Sequence, residues 1–103
     1  MSKSAIARLA AWYAAQCDGS WEHAHGISVE STDNPGWWVK IDTRGTMLEG
    51  RAFKPIKDGV DRGRFPTGPS WISCRVEEGI WHGAGDAARL EEILTRFIDW
   101  TEA

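Results

Sequence analysis

Cysteine is scarce in this chain of 103 residues, which has only Cys17 and Cys74, too few for a disulfide framework. Long hydrophobic runs are missing as well, since no window approaches the ~18 consecutive apolar residues of a membrane helix. The segment 1–16 lacks the unbroken apolar core and the small-residue cleavage site of a signal peptide. We therefore expect a cytoplasmic protein that has no membrane partner and whose two cysteines are free thiols.

Positive charge is also in short supply, with 12 lysine and arginine residues against 15 aspartate and glutamate residues and a formal net charge of −3. A broad nucleic-acid interface needs a basic field that displaces the counterions of phosphates, so this composition disfavours nucleic acid as a partner. Tryptophan, in contrast, is abundant, with seven residues. Because tryptophan is rarely buried completely, we expect some of these rings in a protein-binding patch at the surface; a tryptophan-rich core is the alternative.

The spacing of apolar residues predicts a helix at each end of the chain and five short strands between them. The first helix covers 4–16 and stops before Gly19, and the second follows Asp86, whose carboxylate would cap it. The predicted strands cover 26–32, 37–43, about 51–57, 71–77 and 80–82. Most of the turns are short, which favours antiparallel pairing. The sequence therefore predicts a single α+β domain over residues 1–103, with both helices packed on one face of an antiparallel sheet.

The alternation of side chains along the strands predicts which tryptophans face the core. If Trp37 and Val39 face the core, Trp38 lies on the opposite face of the sheet. The same alternation puts Trp71 on that opposite face. The turn before the second strand contains a proline followed by Gly36, which predicts a type II turn with a positive φ at this glycine.

Four residues with side chains of the kinds that bind zinc form a possible metal site; they are Cys17, His23, His25 and His82. Their spacing matches no common zinc motif, so a structural thiol and hydrogen-bonding histidines are the alternative. Cys74 falls in a core-facing strand, where burial raises the pKa of a thiol and opposes a role as nucleophile. We expect no catalytic residue, no metal and no cofactor, and we keep a small metal-dependent module of these four residues as a second hypothesis.

Acidic and basic residues are segregated along the chain. Residues 17–33 hold four acidic residues and no lysine or arginine, and residues 77–102 hold seven acidic residues against two arginines. Residues 44–64 are the opposite, with six basic residues and three acidic ones. An acidic surface with aromatic anchors suits a basic protein partner, through electrostatic steering and buried hot spots. Ordinary solvated helix surfaces are the alternative explanation for the acidic residues near the end of the chain.

Several long motifs bear on function; they are WYAAQCDGSWEH at 12–23, GISVESTDNPGW at 26–37 and LEEIL at 90–94. This set of motifs resembles the immunity protein 53 family along nearly the whole chain. The resemblance implies an immunity protein of a bacterial polymorphic toxin system, which binds a cognate toxin domain and blocks it without being an enzyme. The sequence departs from the family pattern in a longer loop at 58–70, rich in Gly, Pro and Arg, and in Trp38, where a small or polar residue is expected.

Two regions are therefore candidates for contact with a toxin. The first is the predicted loop from Asp18 to His25, in which the candidate contacts are Asp18, Trp21, Glu22 and His23. The second is the sheet face that carries Trp38 and Trp71. For Trp21 the alternative is that its ring plugs the core while neighbouring polar groups hold the loop. A small-ligand-binding domain with an aromatic pocket remains a further functional alternative. The sequence predicts neither the oligomeric state nor the chemistry of the toxin.

Overall fold

In the computed structural model, the strands are preceded by one helix in the chain and followed by another. The structure describes residues 4–103, and the first three residues of the predicted domain lie outside the described residues. The elements are α1 (Ala5–Gln16), a single turn α2 (Trp21–Ala24), β1 (Ile27–Thr32), β2 (Gly36–Asp42), β3 (Ile56–Asp58), β4 (Ile72–Glu77), β5 (Ile80–Asp86) and α3 (Leu90–Thr101). The strands form one antiparallel sheet in the order β1-β2-β5-β4-β3. The predicted α+β class, with five antiparallel strands and two terminal helices, is confirmed.

The core lies between the sheet and the helices. The third helix packs on β5 and β2, and the first helix lies alongside the third. Phe97 of α3 is fully buried, and it meets the rings of Trp81 and Trp12 edge to face, with ring centroids 5.3 and 4.9 Å away. Burial of these large rings removes much apolar surface from water and is the main stabilising contribution. None of the helices in the described part of the chain has the length and apolar character that crossing a bilayer requires.

Strand β5 is longer than predicted, because it continues through the two glycines that we expected to separate it from the last helix. A Cβ atom at Gly83 would lie 2.6 Å from the side chain of Ile93, so glycine is what allows α3 to pack this close to the strand. Asp86 ends β5 and does not cap the helix. Its carboxylate accepts the backbone N–H of Trp71 at 2.8 Å, and α3 begins only at Leu90.

The hairpin of β1 and β2 is confirmed, but the type II turn is wrong. Gly36 has no positive φ; it is the first residue of β2, and a Cβ atom there would collide with the carbonyl oxygen of Gly85. This glycine serves the close approach of two strands instead of a turn. Positive φ values occur at Glu78 (51°) and Gly79 (79°), where they form the two-residue connection between β4 and β5.

The third predicted strand, near 51–57, is also shorter in the structure, which confines it to Ile56–Asp58. The residues before it contact α3 instead of a neighbouring strand. The indole Nε1 of Trp100 donates to the carbonyl oxygen of Ala52 at 2.9 Å, and Arg51 Nη1 donates to the carbonyl oxygen of Trp100 at 3.1 Å. The first of these bonds satisfies the backbone carbonyl of Ala52, which a β-ladder would otherwise use.

Candidate functional site

The segment 18–25 is a hydrogen-bonded helical turn in which both acidic side chains have local partners. Asp18 Oδ1 accepts the backbone N–H of Trp21 at 2.9 Å. The two carboxylate oxygens of Glu22 accept the backbone N–H groups of Asp18 and Gly19, at 3.0 and 2.9 Å. Hydrogen bonds from backbone N–H groups lower the pKa of both carboxyl groups. The acidic residues predicted to contact a partner therefore also hold their own turn in place.

Trp21 is buried, with 5% of its surface exposed. Its Nε1 donates to the carbonyl oxygen of Arg44 at 2.9 Å, and its ring lies edge-on to Trp12 with centroids 6.1 Å apart. This burial matches the alternative in which the ring plugs the core. His23, in contrast, is exposed on the same turn.

A second hydrogen-bonded group lies where β2 ends, around the buried carboxylate of Asp42. His25 Nδ1 donates to Asp42 Oδ2 at 2.7 Å, and Arg44 donates to both carboxylate oxygens at 3.0 and 2.8 Å. Burial alone would raise the pKa of Asp42, but the hydrogen bonds from Arg44 and His25 outweigh it and lower this pKa to about 2. His25 thus has a structural partner that orients its ring.

The structure does not gather the four residues of the metal hypothesis, Cys17, His23, His25 and His82. Cys17 Sγ donates to the carbonyl oxygen of Tyr13 at 3.3 Å, while His25 binds Asp42. Within residues 4–103 there is no group of three or more His, Cys, Asp or Glu side chains that could hold a metal ion. Cys74 is fully buried, and this burial raises its pKa to about 12, so its thiol is not activated.

The sheet surface opposite the helices is called the open face below. The strand register brings together on it Glu30, Trp38, Lys40, Ser73, Arg75 and His82. Trp38 is 38% exposed, as the alternation predicted. Its ring stacks on His82 with centroids 6.1 Å apart, and its Nε1 lies 3.4 Å from His82 Nδ1. Lys40 Nζ lies 4.6 Å from the centroid of the Trp38 ring, a cation–π distance.

The neutral form of His82 fits this arrangement. Burial lowers the pKa of His82, and the positive charge of Arg75 lowers it further. A neutral imidazole has one ring nitrogen that accepts a hydrogen bond, and Nδ1 accepts from the indole N–H of Trp38. The Trp38 ring is therefore held in one orientation although it is exposed.

Trp71 does not share the exposure of Trp38, since only 7% of its surface is accessible. Its ring packs against Gly36, where a Cβ atom would lie 3.2 Å from the indole, and its Cβ lies close to Gly59. The expectation of an exposed Trp71 is therefore wrong. Alternation gives the face of the sheet on which a residue lies, but it does not reveal a distant loop that covers it.

That covering loop is the segment 58–70, in which Val60 and Pro66 form an isolated antiparallel bridge. Arg64 has a positive φ of 67°, and its guanidinium donates to the buried hydroxyl of Ser73 on the open face. Beside the loop is a groove of about 690 Å³ whose lining includes Trp71, and it is the place that the small-ligand alternative would use.

The carboxylates on the third helix are mostly paired with arginines. Arg8 of α1 reaches Asp99 at 3.3 Å, and Glu92 lies 3.0 Å from Arg89 and 3.1 Å from Arg96. Exposed pairs of this kind add little stability, but they cancel charge locally. The acidic stretch that the sequence shows near the end of the chain is therefore a partly neutralised helix surface.

Comparison with known families decides the class of this domain. The family model described as Immunity protein 53 matches residues 6–102. The chain belongs to the immunity protein 53 family. The match includes the segment 18–25, the five strands and α3, so both candidate regions belong to the family domain. No curated protein and no solved structure matches the chain.

Membership of the immunity protein 53 family gives the chain a toxin-neutralising role and a toxin protein as its partner in general terms. Sequence reasoning places Trp38 on its face correctly and names His82 only as a candidate metal ligand, but it does not single out Lys40 or Arg75 as contacts. Alternation along β2, β4 and β5 is the signal that places Lys40, Arg75 and His82 together on the face of Trp38. No sequence signal places Arg64 beside Ser73, because the chain makes this contact through an irregular loop.

Proposed function

We propose that this protein neutralises a cognate toxin domain of a bacterial polymorphic toxin system by binding it in a one-to-one complex. The toxin is inhibited by occupation of its active site or of a nearby surface, and the immunity protein is not consumed or turned over. The observation that carries this proposal is the family match over residues 6–102, which takes in the sheet and most of both terminal helices.

The geometry supports binding as the mode of action. Trp38 presents an exposed aromatic ring on a rigid strand, and residues of this type in fixed positions supply much of the energy of protein interfaces. A surface that is already ordered loses little conformational entropy when a partner docks. The Cys74 thiol is not an activated nucleophile, because burial raises its pKa.

The candidate residues take different parts in this proposal. Trp38 and His23 are exposed and are proposed as direct contacts. Asp18 is proposed to contact the toxin while it holds the turn of the segment 18–25. Trp21 and Trp71 are buried, and each is proposed to support the surface above it.

The test uses the toxin domain encoded beside the gene for this protein. We expect co-expression to restore growth, and we expect calorimetric titration of the folded, active toxin to give a stoichiometry of about one with nanomolar affinity, as in tight inhibitor complexes. A toxin from an unrelated system serves as the control. An active toxin that is neither bound nor inhibited would contradict the proposal. Complete inactivation at a small fraction of equimolar protein would point to an enzyme instead.

A further inference from the structure

Positive charge is concentrated on the open face of a protein whose net charge is −3. Lys40 and Arg75 lie there on β2 and β4, Lys57 lies opposite Ser73 on the edge strand β3, and Arg64 reaches in from the 58–70 loop. Carboxylates of this face lie at its margins, on Glu30 of the edge strand β1, on Glu77 at the end of β4 and on Asp42 at the end of β2. The Asp42 carboxylate is already paired with Arg44 and His25. The sign of this face is thus opposite to that of the whole chain.

These cations differ from the carboxylates elsewhere in having few partners of opposite charge. Among the described residues, no carboxylate lies within 4.0 Å of the charged nitrogens of Lys40 or Arg64. Arg75 is paired with Glu77 at 3.3 Å, but the Glu77 side chain is 61% exposed, so the pair is solvated and readily exchanged.

The cations also oppose one another. Burial lowers the pKa of Arg64, and the charge of Arg75 lowers it further. The same two causes, in the same order, act on His82. A group whose charged form is disfavoured by burial and by like charge gains most when a carboxylate is brought next to it. The open face therefore favours a negatively charged surface.

An apolar anchor stands among these charges. The ring of Trp38 is held in place by stacking on His82 of the adjacent strand and by the ammonium group of Lys40 on its own strand. Tryptophan and arginine are the residue types most enriched at the energetic centres of protein interfaces. The open face thus combines an oriented ring with charges that are mostly positive.

We propose that the open face docks an acidic patch of the toxin, with Trp38 as the apolar anchor and with Lys40, Arg64 and Arg75 binding carboxylates of that patch. This inference rests on the proposed function, because the toxin is the partner to which it applies. It also reverses the sign expected from the sequence, since a partner for this face is acidic and not basic.

A protein is favoured over a nucleic acid for two reasons. The net charge of −3 repels a polyanion that extends beyond a small cationic patch. Single-stranded nucleic acids stack bases on free aromatic faces, whereas Lys40 lies over the Trp38 ring. Carboxylates on a folded toxin can reach the cations without stacking on that ring.

The test measures toxin affinity for wild-type protein and for Trp38→Ala, Lys40→Glu and Arg75→Glu, with Arg96→Glu as the control. Arg96 lies on α3, which packs on the opposite face of the sheet, and its substitution makes the same change of charge. We expect Trp38→Ala to weaken binding by about thirtyfold or more and each reversal on the open face by about tenfold or more. We expect Arg96→Glu to change affinity by less than about threefold.

The reversals should also lower the association rate and flatten its dependence on salt, because they remove electrostatic attraction. Circular dichroism checks that each variant is folded; should Trp38→Ala not fold, the two charge reversals still decide the matter. Wild-type binding with unchanged affinity in all open-face variants would overturn this inference and leave the proposed function intact. Wild-type protein that does not bind a folded, active toxin would overturn both.

Two further outcomes would assign the open face to another partner. Tryptophan fluorescence of the wild-type protein is titrated with a single-stranded oligonucleotide at physiological salt, and a response lost in Lys40→Glu would make the face a nucleic-acid surface. Light scattering measures the mass of the protein in solution. A dimer that Trp38→Ala converts to a monomer would make a second copy of the chain the occupant. Either result would overturn the inference.

Discussion

The segment 18–25 and the open face contain the same kinds of residue, a tryptophan beside histidine and charged side chains, and the fold uses them in opposite ways. In the segment, Trp21 is buried and the carboxylate of Asp18 accepts N–H groups of its own turn. On the open face, Trp38 stays exposed and Lys40 has no carboxylate partner among the described residues. Similar composition therefore gives a supporting element in one place and a binding surface in the other.

The comparison shows that the charge available to a partner is the charge that the fold leaves unpaired. Arg8, Arg89 and Arg96 neutralise carboxylates on the third helix, and backbone N–H groups bind those of the segment 18–25. The cations of the open face receive little such compensation: among Lys40, Arg64 and Arg75, only Arg75 has a carboxylate partner in the described residues, the exposed Glu77. Net charge per stretch of sequence counts all of these groups equally and so predicts a sign opposite to that of the docking surface that we propose.

The largest expected difference between the two regions is in the free energy of unfolding of their tryptophan variants. Trp21→Ala removes a buried ring and its hydrogen bond to Arg44, and we expect a loss of about 3 to 5 kcal/mol. Trp38→Ala removes a partly exposed ring, and we expect a loss of less than about 1.5 kcal/mol. Urea unfolding followed by far-ultraviolet circular dichroism measures both. Equal losses would contradict the assignment of Trp21 to the core.

A second prediction concerns stability in acid, to which the carboxylate of Asp42 at the end of β2 contributes. Its pKa is about 2 in the folded protein against an ordinary value of 3.8, so its contribution is complete above about pH 4 and is lost as the pH falls through 2. The size of this contribution is about 2 kcal/mol. Thermal unfolding between pH 6 and 2 measures it. Asp42→Asn is expected to be less stable at neutral pH and to lose part of this pH dependence; an unchanged profile would contradict the role of Asp42.

The parts of the fold that follow from local pattern could be predicted from the sequence. Alternation in β2 put Val39 in the core and Trp38 on the opposite face, and both placements hold in the structure. The order of helices and strands followed from apolar spacing in the same way. Each of these features depends on residues a few positions apart, which is the range that hydrophobic periodicity reports.

The parts that depend on distant contacts could not be predicted. Trp71 is buried because Gly59 and the loop that contains it lie against it. Gly83 is part of β5, and its missing side chain leaves room for Ile93 to pack over that strand. Arg64 belongs to the candidate site only because its loop brings it to Ser73. A sequence pattern gives the face and the period of a strand, but it does not give the partner that arrives from elsewhere in the chain.

A third test compares the two candidate regions directly through a variant of Asp18. Its carboxylate accepts the N–H of Trp21 in the manner of a helix cap, so we expect Asp18→Ala to lower the melting temperature by a few degrees. We expect its effect on toxin affinity to be smaller than that of Trp38→Ala, because this carboxylate is already engaged. Calorimetric unfolding and toxin titration of the same two preparations provide the measurements. An affinity loss in Asp18→Ala that exceeds the loss in Trp38→Ala would move the main contact to the segment 18–25.

The smallest expected effect is a pH response of the open face below neutrality. Burial and the charge of Arg75 lower the pKa of His82 in the folded protein, so the unfolded chain binds the proton first as the pH falls through 6.5. Stability therefore decreases slightly on acidification, and protonation of Nδ1 removes the acceptor for the Trp38 indole N–H. We expect the NMR resonance of that indole proton, identified by its absence in Trp38→Phe, to shift between pH 7 and 5. The resonance should stay constant in His82→Gln; the same shift in that variant would mean that another group, and not His82, controls the orientation of the ring.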